Sequence, residues 1–204
     1  MKVTIIGAGK MARAIATRVL AGGNEVELIG RNRAAVEALA GELGASVGDA
    51  VSGEAVVLAV PYDAAADVVA EHRDALRGKV VVDITNPVDW STFEGLVTPS
   101  DSSAAEEIAK LLPEGTPVVK AFNTAFAPTL AAGQAGGQPF DILLAGDDAD
   151  AKKTVASFVE AGGLRPLDVG PLRRARQLEQ LGFLHMAAQE PMGAGFGSGI
   201  TFRW

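Results

Sequence analysis

A glycine-rich turn near the N-terminus is the first segment that could bind a ligand. It reads Gly-x-Gly-x-x-Ala, with Gly7, Gly9 and Ala12 in the small positions, between a strand pattern (Lys2 to Ile6) and a helical pattern (about Lys10 to Leu20). Gly7 permits a tight turn, Gly9 lets a pyrophosphate approach the backbone, and Ala12 lets the helix pack closely on the strand. Free N–H groups at the start of such a helix favour an anion. The segment therefore predicts a dinucleotide site.

The next strand indicates which dinucleotide is bound. NAD-preferring sites carry Asp or Glu at the end of this strand, where the carboxylate holds the ribose 2′-hydroxyl. Here the strand Glu25 to Ile29 ends in Gly30, and Arg31 and Arg33 follow. Arginine offers positive charge and a planar pair of donors to a 2′-phosphate, so we expect NADPH to be favoured over NADH. The alternative is that the two arginines are solvated charges at the start of a helix.

Composition limits the classes of protein to which the chain can belong. Its 204 residues suit one α/β domain with an added C-terminal element, and a net charge of −7 argues against a nucleic-acid partner. The lack of cysteine excludes disulfides and thiolate chemistry. We find no signal-peptide pattern and no apolar run near the roughly 20 residues of a membrane span. We therefore expect a cytoplasmic protein without a membrane partner.

Apolar strand patterns alternate with helical patterns along the chain. Such alternation is typical of a parallel sheet covered by helices on both faces, a doubly wound α/β (Rossmann) fold. We divide it into an NADP-binding domain over residues 1–146 and a helical and extended C-terminal element over residues 147–204 that completes the acceptor site. The predicted strands are Glu54 to Val60, Lys79 to Ile84, Thr116 to Phe122, Phe140 to Ala145 and Arg165 to Asp168, and the predicted helices are about Ala34 to Leu43, Ala64 to Leu76, Ala104 to Leu112, Ala149 to Ala161 and Leu172 to Gln189.

Ligands of open parallel sheets bind outside the carboxyl ends of the strands. In this chain three of those ends carry Val60-Pro61-Tyr62, Thr85-Asn86-Pro87 and Phe122-Asn123-Thr124. These amides and hydroxyls suit a nicotinamide carboxamide and a neutral, planar acceptor. The alternative is that Asn and Pro simply end the strands.

Few side chains are suited to acid–base catalysis. The two histidines, His72 and His185, lie far apart in the sequence, so we expect neither a metal site nor a histidine-based triad. Tyr62 is the sole tyrosine and lacks a nearby lysine of the kind that short-chain reductases use. Reduction of a ketone needs a positioned acid, whereas a flavin-like ring spreads the charge. This scarcity favours a conjugated heterocycle as acceptor.

Several stretches of the chain are similar to one known family. They are Gly7 to Met11, Gly30 to Arg33, Val60 to Tyr62, Ala121 to Thr124, Ala145 to Asp148, Gly163 to Leu172 and Met192 to Gly197. On these motifs the chain resembles the NADPH-dependent reductases of the deazaflavin coenzyme F420, whose fold also resembles the reductase domain of the membrane ferric reductases. The Leu-Arg-Pro-Leu-Asp-x-Gly-Pro-Leu run is the most specific, because no general property of Rossmann folds requires it.

The resemblance implies reversible hydride transfer between nicotinamide C4 and deazaflavin C5. Alignment of the two rings would supply most of the rate, and no catalytic residue is assigned. NADP(H) is then the cofactor and coenzyme F420 the co-substrate. The implied cofactor-binding residues are Gly7, Gly9, Lys10, Met11, Arg31, Asn32, Arg33, Val60, Pro61, Tyr62, Asn86 and Asn123. The implied substrate-binding residues are Pro87, Thr124, Met192, Gly193, Gly195 and Phe196.

Two other functions stay open. One is an NADPH-dependent reductase of an imine, a ketone or a flavin, and the other is a non-catalytic NADPH-sensing protein. We also expect a homodimer, because the last helix carries much apolar surface for a small domain, although those residues would equally suit the core. They are Leu178, Leu181, Phe183, Leu184 and Met186.

Overall fold

A computed structural model describes all residues from 1 to 204 and contains eight strands and seven α-helices. The strands are β1 (Lys2–Ile6), β2 (Glu25–Ile29), β3 (Ser46–Val47), β4 (Ala55–Leu58), β5 (Val80–Asp83), β6 (Val118–Lys120), β7 (Asp141–Gly146) and β8 (Arg165–Asp168). The helices are α1 (Lys10–Ala21), α2 (Arg33–Leu43), α3 (Tyr62–His72), α4 (Ala104–Leu111), α5 (Ala127–Ala132), α6 (Ala149–Ala161) and α7 (Ala175–Ala187).

All eight strands form one sheet in the order β3-β2-β1-β4-β5-β6-β7-β8. The chain reverses its direction of winding at β1, which pairs with β2 on one side and β4 on the other. Neighbouring strands are parallel from β3 to β6, β7 is antiparallel to β6, and β8 is parallel to β7. The carboxyl ends of β1, β2, β4, β5 and β6 therefore open onto the same edge of the sheet.

Apolar cores fill both faces of this sheet. The larger one packs α1, α2, α5 and α6 against one face, with Ile15 and Phe158 among its buried side chains. The second packs α3 and α4 against the other face, through residues such as Val69 and Ile108. Helices on both faces explain the near-continuous apolar strands, and they confirm the predicted doubly wound α/β class. None of the helices is both long and apolar enough to cross a membrane.

Several predicted elements end within four residues of the observed bounds; α3, for example, was predicted as Ala64 to Leu76 and is Tyr62–His72. Larger differences occur in three places. The short strand β3 and the helix α5, which has proline in its first turn, were not predicted, because two and six residues are too few to show a period. The last predicted helix is divided into a 3₁₀ turn (Leu172–Arg174) and α7. Residues 88–103 are irregular, apart from a single bridge between Val88 and Leu96.

The segment after α7 returns to the sheet and extends along β7. The backbone N–H of Asp141 donates to the carbonyl oxygen of Ile200 at 3.1 Å, and the N–H of Phe202 donates to the Asp141 carboxylate at 2.6 Å. The same carboxylate accepts two hydrogen bonds from Arg165, at 2.6 and 2.9 Å. Residues 147–204 thus add β8 and this return segment to the sheet that begins at the N-terminus.

Candidate functional site

The glycine-rich turn joins β1 to α1 at the switch point of the sheet. Gly7 has φ +131°, and a Cβ there would overlap with the carbonyl oxygen of Ala59, so only glycine fits. A Cβ on Gly9 would meet nothing within 4 Å, because this residue faces open space. Gly9 also caps α1 without a side-chain hydrogen bond, so the N–H groups of the first helical turn are free to bind an anion.

Two cavities open at the carboxyl edge of the strands and meet at Gly9, Ala59, Val60 and Pro61. The first cavity, of about 440 Å³, extends from Gly9 over the end of β2 to the last turn of α3. The second cavity, of about 740 Å³, extends from Gly9 over the end of β5 to the loop that follows it. An elongated ligand that crosses Gly9 would therefore occupy both.

Both predicted arginines line the first cavity, but they differ in their partners. Arg31 is exposed and forms no ion pair. Arg33 donates from Nε to Glu37 at 2.8 Å and from Nη1 to Asp49 at 2.5 Å. These hydrogen bonds, that of Glu37 first, raise the pKa of Arg33. Asn32 also lines the cavity and caps α2 by accepting from the Ala35 N–H.

The opposite wall of the first cavity comes from α3. Glu71 and the half-buried His72 lie there, across from the arginines. His72 had no predicted role. The helical pattern that buries Val68 and Val69 also places His72, four residues after Val68, toward this edge of the sheet.

The second cavity is mostly apolar, and its lining includes one side-chain amide, that of Asn86. Lys10, Met11, Tyr62, Asn86 and Pro87, all predicted site residues, contribute to its lining. Several residues that were not predicted as site residues also line it, among them the carboxylates Asp63 and Asp89, Trp90 and Val97 from the loop after β5, and Met186 from α7. Trp90 is 70% exposed, so it stands at the mouth of the cavity.

Tyr62 is the only phenol in the chain, and it begins α3 beside the second cavity. Burial raises the pKa of Tyr62, and the negative charges of Glu107, Glu179 and Asp83 raise it further. The phenol is therefore protonated throughout the neutral range.

Asn123 is buried behind the second cavity and holds Asn86 in place. Its Nδ2 donates to Asn86 Oδ1 at 2.9 Å and to the Leu178 carbonyl oxygen at 2.8 Å, while Asn86 Nδ2 donates to the Asn123 carbonyl oxygen at 2.7 Å. Gly182 of α7 makes this contact possible, because a Cβ there would lie 2.8 Å from Asn86 Oδ1. Asn123 thus positions the cavity wall, while the buried Thr124 lines neither cavity.

A buried ionic cluster that was not predicted from the sequence supports the same wall. Lys120 Nζ donates to Asp83 and Glu179, each at 2.7 Å, and to the carbonyl oxygen of Thr85 at 2.5 Å. The backbone N–H groups of Ala104 and Ala105, at the start of α4, donate to Glu179. The sequence signal was a lysine inside the apolar strand β6, with Asp83 as its register partner on β5.

Burial acts on the charges of Lys120 and Glu179. Burial alone would lower the pKa of Lys120, but the charges of Asp83 and Glu179 outweigh it and leave the pKa raised. Burial likewise raises the pKa of Glu179, against the attraction of Lys120. The ammonium group therefore stays charged, and it fixes the Thr85 carbonyl at the start of the turn that carries Asn86 and Pro87.

The glycine-rich tail packs beside this region but lines neither cavity. Phe196, with φ +61°, contacts Phe126 edge to face at 5.1 Å between ring centroids, and Phe126 lies against the His185 ring at 4.4 Å. Met192 and Phe196 are each at least 50% exposed. The cavities thus bring together every predicted cofactor-binding residue except Asn123, but of the predicted substrate-binding residues they include only Pro87 and not Thr124, Met192, Gly193, Gly195 or Phe196.

His185 fastens this tail to the rest of the protein. Its Nδ1 lies 3.1 Å from the carbonyl oxygen of Thr124, and its Nε2 lies 2.7 Å from Ser198 Oγ. Ser198 Oγ also lies 3.0 Å from Gln189 Oε1, so its single proton is shared between two acceptors when the histidine is neutral. Burial lowers the pKa of His185.

Comparison with known proteins places this site in a family. A family model described as NADP oxidoreductase, coenzyme F420-dependent, matches residues 2–87. The F420-dependent NADP reductase of Methanothermobacter thermautotrophicus is 33% identical over 208 residues, which cover 89% of this chain and 86% of that protein. A solved structure of a putative F420-dependent NADP reductase from Arthrobacter sp. FB24 superimposes with a TM-score of 0.86 at 26% identity, over 100% of both chains.

A longer relative shares the same region. Rat metalloreductase STEAP3 is 35% identical over 182 residues, which cover 88% of this chain but only 36% of that protein. This chain therefore spans about a third of that relative. The two reductases described above, by contrast, match this chain over most or all of their length. On the identity and coverage of the archaeal enzyme, the chain belongs to the family of coenzyme F420-dependent NADP oxidoreductases.

Proposed function

We propose that the protein transfers a hydride between NADP(H) and the deazaflavin coenzyme F420. One observation carries the proposal: a cavity lined by Arg31 and Arg33 and a larger apolar cavity meet at the uncapped start of α1. The first suits the adenosine 2′-phosphate end of a dinucleotide, and the second suits a nicotinamide with a planar ring beside it. Membership of the family supports the same pairing.

The residues of the first cavity fit NADP(H) in three respects. Gly9 leaves the approach to the backbone open, so the first turn of α1 would bind the pyrophosphate. Arg31, which has no ion pair of its own, would bind the 2′-phosphate. Gly30 takes the position of the acidic residue of NAD sites, and a Cβ there would lie 3.1 Å from Val36 Cγ2, so a larger side chain has little room.

The second cavity has the size and lining that a planar acceptor needs. Direct hydride exchange between a nicotinamide and a deazaflavin would require the chain to align the two rings and to exclude water. Trp90, Val97 and Met186 supply apolar surface for this purpose, and Asn86 supplies an amide held in place by Asn123. This open volume also supports an enzyme over an NADPH sensor, because a sensor needs no space for an acceptor.

A reductase of a ketone or an imine is the second candidate, and Tyr62 is the observation that favours it. Such an acceptor needs a proton when the hydride arrives, and the phenol of Tyr62 is a protonated group at the second cavity. The variant Tyr62→Phe separates the two candidates. Reduction of the deazaflavin would persist in it, whereas reduction of a carbonyl or imine would fall by about 100-fold or more.

The decisive experiment is anaerobic mixing of the protein with NADPH and oxidised coenzyme F420, following loss of the visible absorbance of the deazaflavin. Rapid bleaching with NADPH, and slow bleaching with NADH, would support both the acceptor and the nucleotide. Binding of NADPH without bleaching would contradict the proposed acceptor. The control is Gly9→Val, which fills the approach to α1 and should abolish bleaching while the protein stays folded.

We also propose a homodimer formed through the outer face of α7. Leu184 is 64% exposed, and Phe183 lies beside the exposed Phe93, at 5.3 Å between ring centroids. An exposed apolar patch of this kind is typical of an interface. Analytical ultracentrifugation of the protein and of Leu184→Glu tests it: a dimer that the substitution dissociates is expected, and a monomeric parent protein would contradict the proposal.

A further inference from the structure

Asp49 places a negative charge in the wall of the cavity that Arg31 and Arg33 also line. Its Oδ1 lies 2.5 Å from Arg33 Nη1, and it lines the first cavity next to Gly48. Its side chain is 90% exposed, so apart from Arg33 its carboxylate faces solvent. Glu37, the other partner of Arg33, does not line the cavity. Two carboxylates line the cavity, Asp49 and Glu71, and of these Asp49 is the one that contacts an arginine of the cavity.

The backbone on both sides of Asp49 is fixed. The Gly48 N–H donates to the Leu28 carbonyl oxygen at 3.0 Å, and Ser52 donates from its N–H and its hydroxyl to the buried Glu27 at 3.0 and 2.7 Å. Gly48 is pressed against the same Glu27, since a Cβ there would lie 2.6 Å from Glu27 Cδ. Asp49 is therefore held at this edge between two anchored points.

The chemistry of a carboxylate at this position depends on which nucleotide is bound. The 2′-phosphate of NADP carries close to two negative charges at neutral pH, and a carboxylate repels it. The ribose of NAD presents a 2′-hydroxyl instead, and a carboxylate accepts a hydrogen bond from it. Asp49 would then accept from the 2′-hydroxyl of NAD, as an acidic residue at the position of Gly30 does in NAD-preferring sites.

We propose that Asp49 sets the nucleotide selectivity of this site, by opposing the 2′-phosphate of NADP and accepting from the ribose of NAD. The inference rests on the proposed function, because it requires a nicotinamide dinucleotide in the first cavity. Arg31 favours NADP and Asp49 opposes it. The preference for NADP is therefore smaller than two arginines would produce alone.

Isothermal titration calorimetry with NADP⁺ and NAD⁺ tests the proposal on the parent protein, Asp49→Asn and Glu37→Gln. We expect Asp49→Asn to bind NADP⁺ about fivefold more tightly and NAD⁺ about twofold more weakly, so the ratio of the two Kd values shifts about tenfold. Glu37→Gln is the matched control: it removes the other partner of Arg33, but no charge from the cavity wall, and it should leave the ratio within about twofold.

The outcomes separate this inference from the function on which it rests. If both nucleotides bind to the parent protein and Asp49→Asn leaves the ratio of their Kd values unchanged, the role of Asp49 is overturned while the dinucleotide site stands. An equal shift in Glu37→Gln would also overturn it, because the cause would then be the freed guanidinium of Arg33. If neither nucleotide binds, the proposed function and this inference both fail.

Discussion

Lys120 and Asp83 face each other across adjacent strands as a fully buried ion pair, with Nζ and Oδ2 2.7 Å apart. Glu179 of α7 completes the cluster at the same distance from Nζ. Two carboxylates and one ammonium are therefore buried together in the layer below the second cavity. Removing a charge from a buried cluster costs far more than the intact cluster contributes, because the remaining charges lose their partner.

Lys120→Met should consequently lower the free energy of unfolding by about 3–5 kcal/mol, since it leaves Asp83 and Glu179 buried together without a cation. Urea denaturation measures the change. Lys153→Met is the control, because the pair of Lys153 with Asp150 is exposed and its loss should leave stability unchanged. A change below about 1 kcal/mol in Lys120→Met would show that the cluster does not need its ammonium.

Gly7 and Gly9 should respond to alanine in opposite ways. Gly7→Ala places a Cβ against the Ala59 carbonyl at φ +131°, and should lower stability by at least about 2 kcal/mol. Gly9→Ala should fold as the parent does, because its Cβ enters open space, yet weaken NADPH binding about tenfold by blocking the approach to α1. Thermal melting measures the stability of each variant, and fluorescence titration measures its binding of NADPH. Unaltered binding in a folded Gly9→Ala protein would argue against a dinucleotide at this turn.

Arg31→Ala should raise the KM for NADPH about tenfold and change the KM for NADH by less than about twofold, because only the 2′-phosphate loses a partner. Steady-state kinetics with both nucleotides measures the effect. Arg77→Ala is a suitable control, since Arg77 is exposed and lines neither cavity. Equal losses with both nucleotides would mean that Arg31 contacts some other part of the ligand.

His185 should make stability depend on pH. Burial lowers the pKa of His185 below its ordinary value of 6.5, so the unfolded chain binds this proton more readily than the folded protein does. The free energy of unfolding therefore falls as the pH drops through 6.5 toward the folded pKa, and the contribution is fully present above 6.5.

His185→Asn keeps a donor for the Thr124 carbonyl but removes the titration. Urea denaturation at about pH 7.5 and about pH 5.5 should show a smaller drop in stability for this variant than for the parent protein. Equal drops in the two proteins would assign the pH dependence to other groups.

The nucleotide half of the fold was predictable because its signals are local. The strand, the glycine turn and the helix follow one another within residues 2–21, and the predicted start of α1 at Lys10 is the observed one. The period of each element is complete within its own segment, and the glycines mark the turn. The same applies to β2, whose predicted bounds, Glu25 to Ile29, are those observed.

The acceptor half was less predictable because it is assembled from distant segments. Lys120 lies 37 residues from Asp83 and 59 from Glu179, and no pattern within a single element links them. The tail was predicted to border the acceptor, yet its docking depends on contacts of Phe126 and His185 that glycine content does not encode. Likewise Asp49 enters the first cavity through β3, a strand of two residues that carries no period.

The meeting of the two cavities at Gly9 and Val60 has a consequence for affinity. A dinucleotide consists of two nucleotides joined by a pyrophosphate. When one nucleotide is bound in its cavity, the effective concentration of the other nucleotide at the neighbouring cavity is raised. The whole dinucleotide should therefore bind far more tightly than an equimolar mixture of its two mononucleotides. Substitutions at the junction would then weaken binding of the whole dinucleotide, while each cavity would still bind its own mononucleotide.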